Sequence, residues 1–313
     1  MAEIDRAEMV AELVERYSMA DRFGAVRRAR QLLAAGVDDT VLAEVVCDAQ
    51  RHVGSLWQSD AWTVAQEHTA TAIAESVLAT LDDARPQAAT RGRVAMVAAD
   101  GEWHVLPARL AARAFEQAGI GVRFLGGSVP PGDLVRTLPT TGVDAVAVSV
   151  TLSRNLPGAA RSIAACHAVG LPVVVGGQAV DGARAEALGA DVFAERASDA
   201  VEAVLGWASN GPPVPLARAR LRSEPSTALH TARRELQAAA LEEARRVAPT
   251  LDAGPDDELD RVTEDLDTHL AHLEAAVLLD DATVFAESLR WLESVLDARE
   301  ARASDGREVS EHA

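Results

Sequence analysis

The sequence predicts a multidomain protein of mixed class, α/β together with all-α. An N-terminal helical bundle comes first, then a flavodoxin-like α/β domain with a five-stranded parallel sheet, then a C-terminal helical domain. Three observations predict it. Apolar residues recur every three or four positions, with no proline before Pro86. Five short β-rich runs then alternate with helical stretches, the pattern of βαβ units. After a proline-rich break the helical period returns, in a strongly acidic segment.

The bundle occupies residues 1–85. Met9, Val10, Leu13, Val14 and Tyr17 set its first apolar stripe; Val41, Leu42, Val45, Val46 and Val53 the next; Val64, Ile73, Val77, Leu78 and Leu81 the last. Breaks near Gly24, Gly36 and Ser59 to Ala61 divide it into about four helices, which pack as a small bundle. Residues 85–92 (RPQAATRG) read as a linker. The α/β domain spans 92–208. Its strands are Val94 to Ala98, Val122 to Leu125, Ala145 to Val150, Leu171 to Val175 and Asp191 to Ala194. Its helices are Leu106 to Ala118, Asp133 to Leu138, Gly158 to Val169, Ala183 to Leu188 and Ser198 to Ala208. Residues 209–226 are rich in Pro and Arg and read as an interdomain linker. The C-terminal helical domain, 227–304, holds helices over His230 to Val247, Asp257 to Leu279 and Ala282 to Arg302, broken at Pro249 to Pro255; the last ten residues read as disordered.

Composition bounds the function. With 313 residues, 48% apolar and 25% charged, the chain can bury two or three cores. No apolar run has the length of a membrane helix, so no membrane partner is expected. The acidic, amphipathic N-terminus is neither a signal nor a transit peptide, and a cytoplasmic location is expected. Cys47 and Cys166 are too few for a disulfide framework or a four-ligand zinc site. The net charge is -18, and all 30 basic residues are Arg. Such a chain is a poor direct nucleic-acid binder, because phosphate contacts dominate that affinity. Without Lys it also lacks a Walker lysine and a Schiff-base lysine. From Ser223 onward 22 acidic residues face 9 Arg, a balance of -13, so most of the charge lies in the C-terminal third.

In open α/β sheets ligands bind at the carboxyl ends of the strands. Here those ends carry Asp100-Gly101-Glu102-Trp103-His104, Gly126-Gly127-Ser128, Ser149-Val150-Thr151-Leu152-Ser153 and Gly176-Gly177-Gln178. His104 stands just before a helix whose first turn holds Pro107. A loop histidine is either a solvated side chain, a general base or a metal ligand; Glu102, two residues earlier, can orient one ring nitrogen while the other binds metal. Gly176 and Gly177 allow close approach to the backbone, and Ser149, Thr151 and Ser153 leave space and supply hydroxyls. No GxGxxG follows the first strand, which disfavours dinucleotide binding.

Together these residues resemble the cobalamin-binding domain, a family that holds vitamin B12 base-off with a His as lower axial ligand to cobalt. The resemblance implies His104 as that ligand, Ser149, Thr151 and Leu152 in the Ser loop, and Gly176 and Gly177 in the slot for the nucleotide tail, with Trp103 beside the corrin. Glu102-x-His104 is typical of the light-sensing branch, where the methyl-transfer branch has Asp-x-His-x-x-Gly. Pro107 departs from both. In the bundle, Trp57 is followed after nine residues by Glu67-His68. This spacing is similar to the cap of light-sensing cobalamin proteins of the CarH and LitR type. There the Trp packs on the 5′-deoxyadenosyl group of adenosylcobalamin and the Glu-His segment contacts it. Two departures stand out. That family begins with a DNA-binding winged helix, and it carries a His directly after the cap Trp, to take the upper cobalt position after light; here that position is Gln58.

In the C-terminal third, Leu266, Leu270, Leu273 and Val277 form a core or coiled-coil stripe. His269 and His272 share a face; they are either surface side chains or a metal pair. Arg233-Arg234 and Arg245-Arg246 are either solvated charges or anchors for carboxylates. The layout as a whole resembles the photocobilin group, a cobalamin photoreceptor fused to a bilin-binding helical domain. That resemblance implies non-covalent biliverdin, since no Cys lies in this third. The function implied is a signalling protein, not an enzyme: adenosylcobalamin photolysis would change the conformation of a homo-oligomer, a dimer by preference, and pass a signal to a downstream regulatory protein. The alternatives are a corrinoid methyl carrier serving a methyltransferase and a light-independent cobalamin-responsive regulator.

Overall fold

The computed structural model describes residues 5–82, 91–214, 216–248 and 256–312. Over these it has twelve helices and one five-stranded sheet, divided into two compact units: residues 1–86 with 290–313, and residues 87–289. The expected breaks at 85–90 and 249–255 lie outside the described residues.

In the first unit, α1 (Arg6–Ser18), α2 (Arg22–Ala34), α3 (Asp39–Gln58) and α4 (Val64–Asp82) form the bundle. Asp5, Asp21 and Asp38 cap the first three helices by accepting from backbone N–H groups two or three residues further on. The predicted stripes face inward: Met9, Leu13, Tyr17, Leu42, Val45, Val46, Val53, Ile73, Val77, Leu78 and Leu81 are all buried. Val10, Val14 and Val41 are only partly buried, and Val64, at the first position of α4, is exposed. Glu12 accepts from both Arg16 and Arg28, which ties α1 to α2.

In the second unit the strands are β1 (Arg93–Ala98), β2 (Gly121–Gly126), β3 (Ala145–Ser149), β4 (Val173–Gly176) and β5 (Val192–Ala194). They are parallel and ordered β2-β1-β3-β4-β5, the flavodoxin-like order. Val94 pairs with both Val122 and Ala145, and Val174 with Val192. Central strands β1 and β3 are buried along nearly their whole length, as a sheet covered on both faces requires. Helices α5 (Leu106–Gln117), α6 (Pro131–Thr137), α7 (Leu156–Ala168), α8 (Gly182–Leu188) and α9 (Ala197–Asn210) cover it.

The C-terminal third differs from expectation at three points. Helix α10 (Ser223–Val247) starts inside the segment read as linker, because Pro225 sits in its first turn, where a missing N–H costs nothing. The extended stretch before it is held to the α/β unit: Ala217 N donates to Asp191, Arg220 N to Ala187 O and Arg222 N to Leu278 O. The third point is α12 (Ala282–His312), which runs through the residues expected to be disordered; its Ala, Glu and Arg are strong helix formers. Helix α11 (Asp256–Leu279) sinks Ala275, Ala276, Leu278 and Leu279 into the same core as α7 and β3. Buried Arg184 of α8 meets Asp281, Thr283 and Glu287, fastening the start of α12. The boundary between the two units falls inside α12, between Leu289 and Arg290.

Candidate functional site

The sheet reverses its winding between β1 and β3, and the crevice at that point is where such folds bind ligands. The loop after β1 is drawn into it by its neighbours. Gly101 N donates to Ser128 Oγ, and Ser128 N donates to Glu102 O, closing the loop after β2 onto it. A side chain at Gly127 would meet Val105 at 2.8 Å, so the closure needs glycine there.

Glu102 is fully buried. Its Oε1 accepts from His104 N at 3.0 Å and lies 2.5 Å from His104 Nδ1. Its Oε2 accepts from Thr151 N at 2.9 Å, Leu152 N at 3.0 Å and Asn155 Nδ2 at 2.9 Å. Burial pushes the carboxyl pKa up, but the bonds from His104, Asn155 and the backbone outweigh it and hold it at about 2. An ionised carboxylate only accepts, so Nδ1 carries the proton and Nε2 presents the lone pair that a metal needs. The His104 side chain is about half exposed, at 49%. This is the carboxylate–histidine arrangement expected from Glu102-x-His104.

A cleft of about 110 Å³ opens between the sheet and helices α5 and α9. Ser149, Gly176 and Gly177 line it, with Pro107, Ala111, Ala147, Ala194 and Ala200 keeping it wide. The two glycines also serve the fold itself: a Cβ at Gly176 would lie 2.7 Å from Ala194 O, and one at Gly177, where φ is +115°, 2.2 Å from Val150 O. Thr151 and Leu152, expected in the Ser loop, do not line the cleft; their backbone N–H groups hold Glu102. Thr151 Oγ1 is buried with no hydrogen-bond partner. Trp103, next to His104, is 74% exposed.

Two features fit a corrinoid: an oriented imidazole and a cleft with a glycine edge. Sequence reasoning missed Asn155 and Ser128. Both lie in or next to the polar strand-end segments already singled out, but only the packed loops show what they hold. It also missed Glu195 and Arg196 at the cleft, which follow the short edge strand β5.

In the other unit, half-buried Trp57 is the penultimate residue of α3, and Glu67 and His68 stand in the first turn of α4. The short turn between these helices brings all three to one end of the bundle. Glu67 accepts from Thr71 Oγ1 at 2.9 Å and lies 3.5 Å from His68 Nε2; His68 is largely exposed. In the C-terminal helices Arg233 binds Asp267 and Glu274, and Arg246 binds Glu243. His272 Nδ1 meets Thr268 O within its own helix, and no group of three His, Cys, Asp or Glu among the described residues could hold a metal ion. No described helix is long and apolar enough to cross a membrane.

Residues 92–205 match the family model described as B12 binding domain, and residues 10–82 match a second model of the same description. The HTH-type transcriptional repressor CarH of Myxococcus xanthus is 33% identical over 144 residues, 45% of this chain and 46% of that protein. Dimethylamine corrinoid protein 3 of Methanosarcina acetivorans is 30% identical over 106 residues, 33% of this chain and 50% of its own length. The chain therefore spans about half the length of these relatives. The solved monomethylamine corrinoid protein of Methanosarcina barkeri superposes with a TM-score of 0.56 at 18% identity, covering 64% of this chain and 99% of that one, a likeness of fold.

Proposed function

We propose that this cobalamin-binding protein, marked as such by its two B12-binding segments, is a light-responsive signalling protein in which His104 would hold the cobalt of adenosylcobalamin. The observation that carries the cobalamin side is the Glu102–His104 dyad at the β1/β3 crevice. Glu102 fixes the tautomer and the ring plane of His104, so the donor is oriented before the cofactor arrives. Ser149, Gly176 and Gly177 line the cleft that would receive the nucleotide tail.

The light side leans on Trp57, Glu67 and His68 at one end of the bundle, and on the similarity to the repressor CarH. Adenosylcobalamin supplies a cobalt–carbon bond that visible light breaks. Trp57 would stack on the adenosyl group, and Glu67 and His68 would hold its polar edge. Trp57 would have this partner only while that group is bound, and such a differential contact is enough to shift a two-state equilibrium. The change reaches a downstream regulatory protein, or a second copy of the chain, through the C-terminal helices.

A second reading, a corrinoid methyl carrier, is favoured by the similarity to the dimethylamine corrinoid protein, since the same dyad would serve it. Non-covalent biliverdin belongs to the first reading as an addition. Two of the four arginines expected to hold its carboxylates are paired with acidic side chains of the C-terminal helices: Arg233 with Asp267 and Glu274, and Arg246 with Glu243.

Absorption spectra with adenosylcobalamin, methylcobalamin and biliverdin, in the dark and after green light, test these readings. A base-off, His-on spectrum that converts in light, together with a light-dependent elution volume, supports the sensor. Preference for methylcobalamin with no light-dependent change in the protein supports the carrier. A far-red band on adding biliverdin supports the two-chromophore form.

A further inference from the structure

The last helix of the chain places two of its residues on the cap position itself. Trp291 and Ser294 are three apart on α12 and so share one face. The Trp291 ring stacks on Trp57, with centroids 5.6 Å apart and planes at 21°. Ser294 Oγ accepts from Gln58 Nε2 at 2.8 Å. Trp57 and Gln58 are the last two residues of α3, so a single face of α12 engages both.

This contact sits at the surface of its unit. Trp291 is 38% exposed, Trp57 is only half-buried and Gln58 is exposed. Buried Val295, beside Ser294, anchors the helix independently of the stack. The two rings can therefore part without opening the apolar core of the bundle. An offset stack of this kind is a favourable but modest contact. A purine offers a tryptophan the same flat π surface, and base–aromatic stacking is at least as strong as the pairing of two aromatic side chains.

Resting on the reading that Trp57 receives the upper group of the cofactor, we infer that Trp291 is an intramolecular competitor for that ring. Helix α12 docks on Trp57 and Gln58 when no purine-bearing upper group is present, and a purine nucleoside group stacked on Trp57 releases it. Gln58, which stands where the light-sensing family has a His, then has a defined role: it holds Ser294. The segment 290–297 becomes the part of the chain whose docking reports what Trp57 touches.

Competition is reciprocal, so removing Trp291 must strengthen the hold on a cofactor with an adenosyl group and leave one without it unchanged. For Trp291→Ala we expect the affinity for adenosylcobalamin relative to hydroxocobalamin to rise about tenfold, or about 1.4 kcal/mol. Ser294→Ala, a gentler change, shifts the ratio the same way by less. Hydrogen–deuterium exchange over residues 290–297 of the wild type should be slow alone and with hydroxocobalamin, and faster with adenosylcobalamin in the dark. A lower adenosylcobalamin affinity in Trp291→Ala overturns the inference and makes Trp291 a support for the cap. An exchange rate indifferent to the upper group overturns it as well. If the wild type binds neither cobalamin, the functional reading falls with it. If both bind through His104 but ratio and exchange do not respond, only this inference falls.

Discussion

Glu102 Oε1 lies 2.5 Å from His104 Nδ1, and of the two side chains the carboxylate is wholly buried while the imidazole is half exposed. The order matters. A buried anion satisfied by Thr151, Leu152 and Asn155 is held in place, and so it restrains the imidazole that it bonds. An isolated loop histidine would pay rotamer entropy on binding a metal; this one has been ordered by the fold.

Glu102→Gln should test that relationship. All five contacts to Glu102 need an acceptor, and an amide turns one of its two oxygens into a donor, so either His104 or the Thr151, Leu152 and Asn155 group loses its partner. We expect cobalamin affinity to fall by about 10- to 100-fold, the usual effect of losing a metal ligand's orienting partner. Spectral titration with hydroxocobalamin measures it; undiminished affinity would remove Glu102 from the site.

His104→Ala removes the donor while leaving Glu102 its other partners. The base-off, His-on spectrum should disappear. The melting temperature should change little, since half-exposed side chains contribute little to stability. Calorimetry of the free protein separates the two effects, and a persistent His-on spectrum would reassign the ligand.

Acid should unfold the α/β unit in a defined window. The Glu102 pKa is depressed in the folded chain from 4.5 to about 2. The stability it contributes is therefore complete above about pH 4.5 and is lost as pH falls from there towards 2. The upper limit is roughly 3 kcal/mol. Asp191, whose pKa is pushed up by burial but held low overall by His167 and the backbone of Ala217 and Val173, adds in the same direction. Denaturant titrations of wild type and Glu102→Gln at pH 7 and pH 3 should show a smaller pH dependence in the variant; equal dependence would contradict the assignment.

Gly177→Ala combines a left-handed backbone with a Cβ 2.2 Å from Val150 O. We expect a loss of about 2–3 kcal/mol. Gly182→Ala is the control: its Cβ would meet nothing within 4 Å, and the change should be neutral or slightly stabilising. Equal melting temperatures for the two variants would show that the loop after β4 relaxes freely.

Much of this was legible in the chain. The five strands and their helices follow from runs such as Val173–Val175 and from glycines at the strand ends, because a sheet covered on both faces needs uninterrupted apolar residues. The Glu102–His104 pair was legible because its partners are two residues apart. Asn155 was not, because its 53-residue separation from Glu102 is closed only when β1 and β3 lie side by side. The start of α10 at Ser223 was hidden by Pro225, whose composition signal reads as linker while its position in the first turn permits helix.

By itself the sequence determined the fold class, the strand-end loops that carry the polar residues, and the Glu102-x-His104 and Trp57 to His68 spacings. Those are local patterns, and local patterns are set by backbone periodicity and by near neighbours. Only the tertiary structure decided that Thr151 and Leu152 serve Glu102 through their backbone, that α11 shares the core of the α/β unit, and that Trp291 and Ser294 meet Trp57 and Gln58. Each of these joins residues from 49 to 236 positions apart. Contacts at that range leave no period in the sequence; they exist because burying the apolar faces of separate elements against one another fixes which polar groups end up within reach.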